Sequence, residues 1–478
     1  MPPHDPAEPA KVALIVDLDR TLTRADVAVE SLVRLMRRSP MLFWQLLLAL
    51  LWGRAALKTR LARLDPVDPA LLPLRAEVVD LIGEARRDGR PVILASAAHR
   101  RNVGRVARHL GLFDRYLGSS RRRNLKSAGK LRAIRAAIGD APFDYVGDST
   151  ADRAIWREAR HAYTVGVPTR SANEQRVGPP PKSPLRALVK AIRPHQWAKN
   201  ALVFVPLATS GHILDFVALG QAALAFVSLS VIASSVYLLN DLLDIDADRR
   251  HARKRSRPLA AGDLGIPLAL AISGAAAILG LAIGWFLLGP ATFAALAAYF
   301  ALTLAYSFRL KSAMIADVLA LASLYTIRMI VGAAAIAVAP SMWLLIFSIF
   351  FFLSLGYLKR YVELDESRNE RHQLLSGRGY VPSDKMFVAM GGVASGMVSL
   401  LVLLLFAAEK GEGGEYAHPA LLWLLVIPLL YWLNRIWMMA GRGQVDGDPV
   451  AFALRDRRSI VVGALLAVIV VAAKYGGG

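Results

Sequence analysis

The chain has 478 residues, is 55% hydrophobic and has a mean hydropathy of +0.40, too apolar for one soluble domain and suggestive of membrane spans. With no Cys, structural disulfides and thiolate chemistry are excluded, and the redox compartment stays open. The formal net charge of +21 fits the positive-inside bias of a bacterial inner-membrane protein; with no aromatic–basic interleaving in a soluble module, nucleic acid is not expected as a partner.

Met1 to Pro6 has neither a basic n-region nor an apolar h-region, so no secretory signal is expected and the first domain should stay in the cytoplasm. Residues 11–18, Lys-Val-Ala-Leu-Ile-Val-Asp-Leu, read as a short, fully buried strand that ends in acid, in a stretch that carries Asp17, Asp19 and Thr21. A second apolar run, 91–95, ends at Ser96, and a third, 143–147, ends at Asp148 and Asp152. Helical patterns lie at 75–88, 99–110 and 127–138, stopped by Gly89, Gly111 and Gly139. This alternation predicts an α/β domain with a parallel sheet, with polar residues at three strand ends where ligands bind in open α/β sheets.

These residues in this order resemble the haloacid dehalogenase-like phosphatase superfamily over about residues 10–170. The resemblance implies a Rossmann-like fold and assigns roles. Asp17 would attack phosphorus and Asp19 would act as acid, then base. Thr21, Ser96 and a Lys, either Lys130 or Lys126, would hold phosphate; Lys130 fits the family spacing better. Asp148 and Asp152 would bind Mg2+ alongside Asp17. Singly, each Asp reads equally as a helix cap or a solvated turn. An insert at about 22–75 takes the place of a helical cap. Its apolar stretch 41–53 is too short to span a bilayer. It reads as a buried cap helix or as an interfacial, lipid-binding surface flanked by Arg37, Arg38, Arg54 and Lys58.

The first domain is expected over residues 1–174, followed by a Pro-rich linker at 175–184 and a membrane domain at 185–478. Residues 185–199 look amphipathic and basic. Nine apolar segments follow, at about 200–213, 216–239, 265–287, 290–308, 313–334, 340–358, 386–407, 418–438 and 458–474, so an all-α bundle of nine transmembrane helices is expected. Loops 241–263, 309–312, 359–385 and 439–457 are rich in Arg and Lys. The intervening loops are nearly free of them, which places the basic loops and the first domain in the cytoplasm.

Residues 240–248 carry Asn240, Asp241, Asp244, Asp246 and Asp248 at the mouth of an apolar segment. Asp241 and Asp244 are three apart, and Asp244 and Asp248 four apart, so a helix places them on one face. Carboxylates there are costly and mark a functional site, and their oxygens suit Mg2+ with substrate phosphates. Nine helices with this acidic stretch closing the second resemble the UbiA-type intramembrane prenyltransferase superfamily over about residues 185–478. That family carries a second acidic motif, expected near Asp317. Here Leu321 replaces its partner, and Arg309, Lys311 and Arg328 supply positive charge instead.

The segments around Arg193 to Asn200, Asn240 to Arg249, Lys254 to Pro258, Lys359 to Leu364 and Leu454 to Arg457 look most like the phosphoribosyl-transferring branch. That resemblance implies transfer of 5-phosphoribose from phosphoribosyl diphosphate to a polyprenyl phosphate. Asp241, Asp244 and Asp248 would hold Mg2+. Lys199, Asn240, Arg257, Arg309, Lys311, Asp317, Lys359, Arg360 and Glu363 would bind substrate. The first domain would then remove the 5-phosphate. The competing readings are a prenyltransferase with an aromatic acceptor and an unrelated phosphatase, and a transporter or scaffold. Lipid length and oligomeric state are not legible.

Overall fold

A computed structural model describes residues 12–38, 54–121, 123–180, 183–366, 379–412, 416–445 and 447–475. The apolar stretch 41–53 lies outside them. By contacts the chain divides into two compact units. One is Met1–Ile192 with Leu238–Ala271, and the other is Arg193–Tyr237 with Ile272–Gly478.

The first unit is built on a six-stranded sheet, three strands more than the apolar runs predict. The strands are β1 (Ala13–Val16), β2 (Val92–His99), β3 (Arg115–Ser119), β4 (Phe143–Gly147), β5 (Ala162–Thr164) and β6 (Glu174–Arg176), in the order β3-β2-β1-β4-β5-β6 and all parallel. β1 is central and fully buried because its side chains feed two cores. Leu14 and Val16 pack with Val78, Ile82, Val103 and Val106 from helices Ala76–Arg87 and Arg100–Leu110. Ala13 and Ile15 pack with Ile134, Ile155 and Trp156 on the other face. β6 contains Gln175 and Arg176, so the expected linker loses its first residues to the sheet edge. Helix Pro184–Ile192 takes up its end.

The insert is closed at its neck. Thr23 bridges Leu74 in antiparallel fashion, the Arg24 amide donates to the Pro73 carbonyl at 2.9 Å, and the Arg75 amide donates to the Leu22 carbonyl at 2.9 Å. Excursion and return thus meet at the turn that follows β1.

Among the described residues, seven helices are long and apolar enough to cross a membrane: Phe216–Leu243, Ile266–Leu287, Pro290–Phe308, Ala316–Ala335, Met342–Asp365, Pro382–Glu409 and Pro419–Gly441. The chain is a multi-pass membrane protein. The expected count of nine is not reached. The segment at 200–213 is two short pieces, Pro194–Phe204 and Val205–Thr209, with Pro206 at their junction. The segment at 458–474 is helix Arg457–Tyr475, whose ends carry Arg457, Arg458 and Lys474.

The two largest of the second unit's buried apolar clusters position its helices. Val203, Leu229, Ile232, Leu296, Tyr299 and Val331 form one; Val318, Phe352, Leu358, Leu433 and Ile436 belong to the other. A Cβ at Gly332 would lie 2.0 Å from the Val203 carbonyl oxygen, so only glycine lets the helix Ala316–Ala335 approach the piece Pro194–Phe204 this closely. Phe286 and Ile278, on the poorly covered helix Ile266–Leu287, are 78% and 71% exposed, as a lipid-facing helix requires.

Candidate functional site

The turn after β1 places the first group of residues. Asp17 is buried, and its Oδ1 accepts the Leu18 amide at 2.8 Å. Arg20 adopts φ 58°, the left-handed conformation that folds the chain back so that the Leu22 amide reaches the Asp17 carbonyl at 3.1 Å. This reversal aims Asp19 and Thr21 at neighbouring strand ends. Asp19 Oδ1 accepts the Val27 amide at 2.9 Å, and its Oδ2 accepts Ser96 Oγ at 3.4 Å. Thr21 Oγ1 donates to Asp148 Oδ1 at 3.3 Å.

Lys130 enters from the first turn of helix Ala128–Ile138, on the buried face shared with Ala133 and Ile134. Its Nζ lies 2.9 Å from Asp17 Oδ2 and 3.2 Å from Asp152 Oδ1, and donates to the Tyr145 hydroxyl at 2.8 Å. Lys126 is exposed, so of the two candidate lysines it is Lys130, the one the family spacing favours, that meets Asp17 and Asp152. Burial alone would lower the Lys130 ammonium; Asp17, Tyr145 and Asp152 outweigh it and hold the group charged well above its ordinary range.

Oxygens of Asp17, Asp148 and Asp152 all lie within 4.8 Å of one another, and among the described residues this is the one group of three carboxylate or imidazole side chains so close. Burial, then Asp17 and Asp152, push the Asp148 carboxyl up to about 7. Burial also raises Asp152, whose Oδ2 is buried with no hydrogen-bond partner. A Cβ at Gly147 would approach that oxygen to 3.0 Å and the Tyr145 ring to 2.7 Å, so glycine keeps the spot open. Three hard oxygens, one of them orphaned, fit a divalent cation. Asp19 is pushed up to about 8, first by burial and then by Asp26. A carboxyl in that range exists substantially as the acid at neutral pH.

A second group sits at the end of helix Phe216–Leu243. Asp241 and Asp248 are buried, and Arg257 Nη1 donates to Asp241 Oδ1 at 3.2 Å and to Asp248 Oδ2 at 2.7 Å. Asp244 stands just before the next helix, Ile245–Arg250, with no capping hydrogen bond from its side chain. Asn240 Oδ1 is buried with no hydrogen-bond partner. Burial raises the Asp248 carboxyl even against Arg257. The three carboxylates expected on one face do not converge as tightly as Asp17, Asp148 and Asp152; Arg257 occupies the space between two of them instead.

The second unit holds two further clusters. Lys199 Nζ lies 2.7 Å and Lys359 Nζ 3.4 Å from Asp448 Oδ2. The two cations hold Asp448 well below the usual carboxylate range despite its burial, while burial lowers Lys199 to about 8 against the pull of Asp448. Asp317, expected to stand without a partner, is fully buried: Arg360 Nε lies 2.6 Å from its Oδ2, and the Tyr380 hydroxyl donates to Oδ1 at 2.7 Å. Arg360 also pairs with Glu363 and donates to the Tyr306 hydroxyl at 3.3 Å. Three residues expected to meet substrate thus meet one another. Arg328 is held by Asn200 Oδ1 at 3.0 Å, its guanidinium 5.2 and 5.0 Å from the Tyr299 and Tyr325 rings. Arg309 is exposed at the end of helix Pro290–Phe308, and Lys311 is half-buried just beyond it.

Tyr145, Asp448 and Tyr380 escaped sequence reading. So did the contact of Lys58 from the insert, whose Nζ donates to the Ala97 carbonyl at 2.8 Å beside Ser96.

Residues 14–157 match the haloacid dehalogenase-like hydrolase family, and residues 201–442, half of the chain, match the UbiA prenyltransferase family. The chain belongs to the UbiA prenyltransferase family. This UbiA-family chain therefore carries a hydrolase-type domain at its N-terminus and a prenyltransferase-type domain after it. It is 38% identical over 472 residues to the uncharacterized protein y4nM of Sinorhizobium fredii, covering 96% of this chain and 90% of that one. It is 34% identical over 289 residues to nodulation protein NoeC of Azorhizobium caulinodans, covering 59% of this chain and 91% of the relative. Decaprenyl-phosphate phosphoribosyltransferase of Mycolicibacterium smegmatis is 39% identical over 300 residues, covering 60% of this chain and 92% of the relative. The family memberships support a transferase and a phosphatase.

Proposed function

We propose that this chain transfers 5-phosphoribose from phosphoribosyl diphosphate to a polyprenyl phosphate, and that its N-terminal domain then removes the 5-phosphate to give polyprenyl-phosphoryl-ribose. The observation that carries this reading is the pairing of two things in one chain. One is near full-length similarity to a decaprenyl-phosphate phosphoribosyltransferase, over 92% of that relative. The other is the meeting of Asp17, Asp19, Ser96, Lys130, Asp148 and Asp152 at the ends of the strands, which supports a phosphatase site there.

In the transfer step an oxygen of the lipid phosphate forms the bond to C1 of the ribose. The bond from C1 to the diphosphate breaks, and the diphosphate leaves with both electrons. The nucleophile is already an anion, so no strong base is required. Mg2+ held by Asp241, Asp244 and Asp248 would neutralise charge growing on the leaving diphosphate. Arg257, a cation already lodged between Asp241 and Asp248, and the orphaned oxygen of Asn240 support the reading of this pocket as a place for positive charge and a further ligand. Lys199 and Lys359 are the proposed phosphate ligands, with Arg309 and Lys311 as further cations. Asp317, Arg360 and Glu363 are assigned to holding Tyr380 and Tyr306 in place.

In the hydrolytic step an Asp17 oxygen attacks the phosphorus of the 5-phosphate, and the bond from phosphorus to the 5-oxygen breaks as Asp19 gives that oxygen its proton. Asp19 then takes a proton from water, which attacks the aspartyl phosphate and releases inorganic phosphate. Lys130, Ser96 and Thr21 orient the phosphoryl group. Mg2+ at Asp17, Asp148 and Asp152 would supply charge neutralisation there. The phosphatase domain is assigned to residues 1–174, on the cytoplasmic side of a bacterial inner membrane with the basic loops.

Membranes carrying the chain, supplied with labelled phosphoribosyl diphosphate, test this. Asp241→Ala should yield no labelled lipid. Asp17→Asn should accumulate the 5-phosphorylated lipid. Failure of that species to accumulate contradicts the hydrolytic assignment.

A further inference from the structure

The phosphatase-like domain and the loop after the acidic helix end are fastened together inside one compact unit. Glu30, on helix Val27–Arg38, is buried and accepts Arg249 through both oxygens, at 2.9 Å from Nη1 and 2.5 Å from Nη2. The same guanidinium donates from Nε to the Ala260 carbonyl at 2.9 Å. Arg249 therefore ties the residue next to Asp248 and the far end of the loop to one carboxylate. Two more pairs flank it. Arg34 Nη1 lies 3.4 Å from Asp246 Oδ1, and Arg24 Nη1 lies 3.1 Å from Asp263 Oδ1. Backbone packing carries the same message: Gly262 has φ +72°, and a Cβ there would meet the Arg24 Cβ at 2.5 Å. The loop so held is the one that delivers Arg257 to Asp241 and Asp248.

We propose that Glu30 of the phosphatase-like domain is a positioning residue for the transfer reaction. Through Arg249 it fixes the loop 249–263 and so sets where Arg257, Asp241 and Asp248 stand relative to one another. This rests on the reading that those residues bind the diphosphate of the sugar donor. The physical ground is that a two-oxygen carboxylate–guanidinium pair shielded from water imposes a fixed orientation, which a single exposed contact does not. Glu30 touches no reacting atom. It also lies outside the group formed by Asp17, Asp19, Ser96, Lys130, Asp148 and Asp152, so the two effects are separable. Fusion of the two domains then has a structural consequence beyond bringing two activities together: the hydrolase-type domain is part of the framework of the transferase.

The test uses full-length protein in nanodiscs, wild type and Glu30→Gln. Hydrogen exchange of amides 244–263 should accelerate in Glu30→Gln while β1, β2 and β4 stay protected. The KM for phosphoribosyl diphosphate should rise on the order of tenfold, as loss of a supporting partner does, with hydrolysis of a small phosphomonoester unchanged. The swapped pair Glu30→Arg with Arg249→Glu should recover part of the KM. If Glu30→Gln does not fold, Arg24→Ala and Gly262→Ala carry the same expectations. Unchanged exchange in the loop, or an unchanged KM in a folded variant, overturns the proposal. If the wild type transfers no phosphoribose, the functional reading fails, while the exchange measurement still decides whether Glu30 holds the loop.

Discussion

Lys130 Nζ stands 2.9 Å from Asp17 Oδ2 at the centre of a buried group that also contains Asp152 and the Tyr145 hydroxyl. One cation holds two carboxylates together, and its removal leaves them facing each other away from water. Lys130→Met is therefore expected to lower phosphomonoester hydrolysis about 100-fold or more. It should also destabilise the first domain by about 3–5 kcal/mol. Turnover of a small phosphomonoester and thermal unfolding measure the two effects.

Gly147 faces the orphaned oxygen of Asp152. Gly147→Ala should crowd that oxygen and the Tyr145 ring at a cost of about 1–3 kcal/mol. Mn2+ binding, followed by electron paramagnetic resonance, should weaken. Chelation of divalent cations should abolish hydrolysis in the wild type.

Lys199 titrates near 8 because it is buried beside Lys359, with Asp448 as its counter-charge. Its cation is present below that pH and is lost as pH rises through it. The KM for phosphoribosyl diphosphate should therefore increase about tenfold between pH 7 and pH 9. Lys199→Arg keeps its charge throughout this range and should flatten that limb. A pH series of initial rates with both proteins checks this.

Asp317 and Arg360 neutralise each other in the membrane domain. Asp317→Leu alone leaves the buried guanidinium with only the half-buried Glu363 as counter-charge and should cost about 3 kcal/mol, whereas Asp317→Leu with Arg360→Met should recover most of that. Thermal unfolding in detergent distinguishes the two variants.

What is legible in the sequence follows from what each residue depends on. Asp17, Ser96 and Asp148 could be read because each marks an abrupt change from an apolar strand to a polar turn, a local signal. β3, β5 and β6 could not, because these short strands lack a continuous apolar run. Lys130 lies on the inner face of a helix that begins at Ala128, whereas Lys126 lies before that helix, exposed. Asp448 lies 249 residues from Lys199 and 89 from Lys359, so no spacing rule joins them. Asp317 looked solitary because its partners, Arg360 and Tyr380, come from other elements, Tyr380 being 63 residues away. The acidic run at 240–248 was visible at once, but the lodging of Arg257 between two of its members was not.

In the proposed reaction sequence, one chain adds a phosphorylated ribose to a lipid phosphate and then strips the phosphate. Phosphoribosyl diphosphate labelled with 14C in the ribose and 32P in the 5-phosphate, incubated with purified wild-type protein, Mg2+ and a polyprenyl phosphate, tests it most directly. The expected lipid product carries 14C without 32P, with the 32P recovered as inorganic phosphate, and Asp17→Asn should give a doubly labelled lipid. A wild-type lipid that retains 32P in proportion to 14C, or no labelled lipid at all, would contradict that reaction sequence.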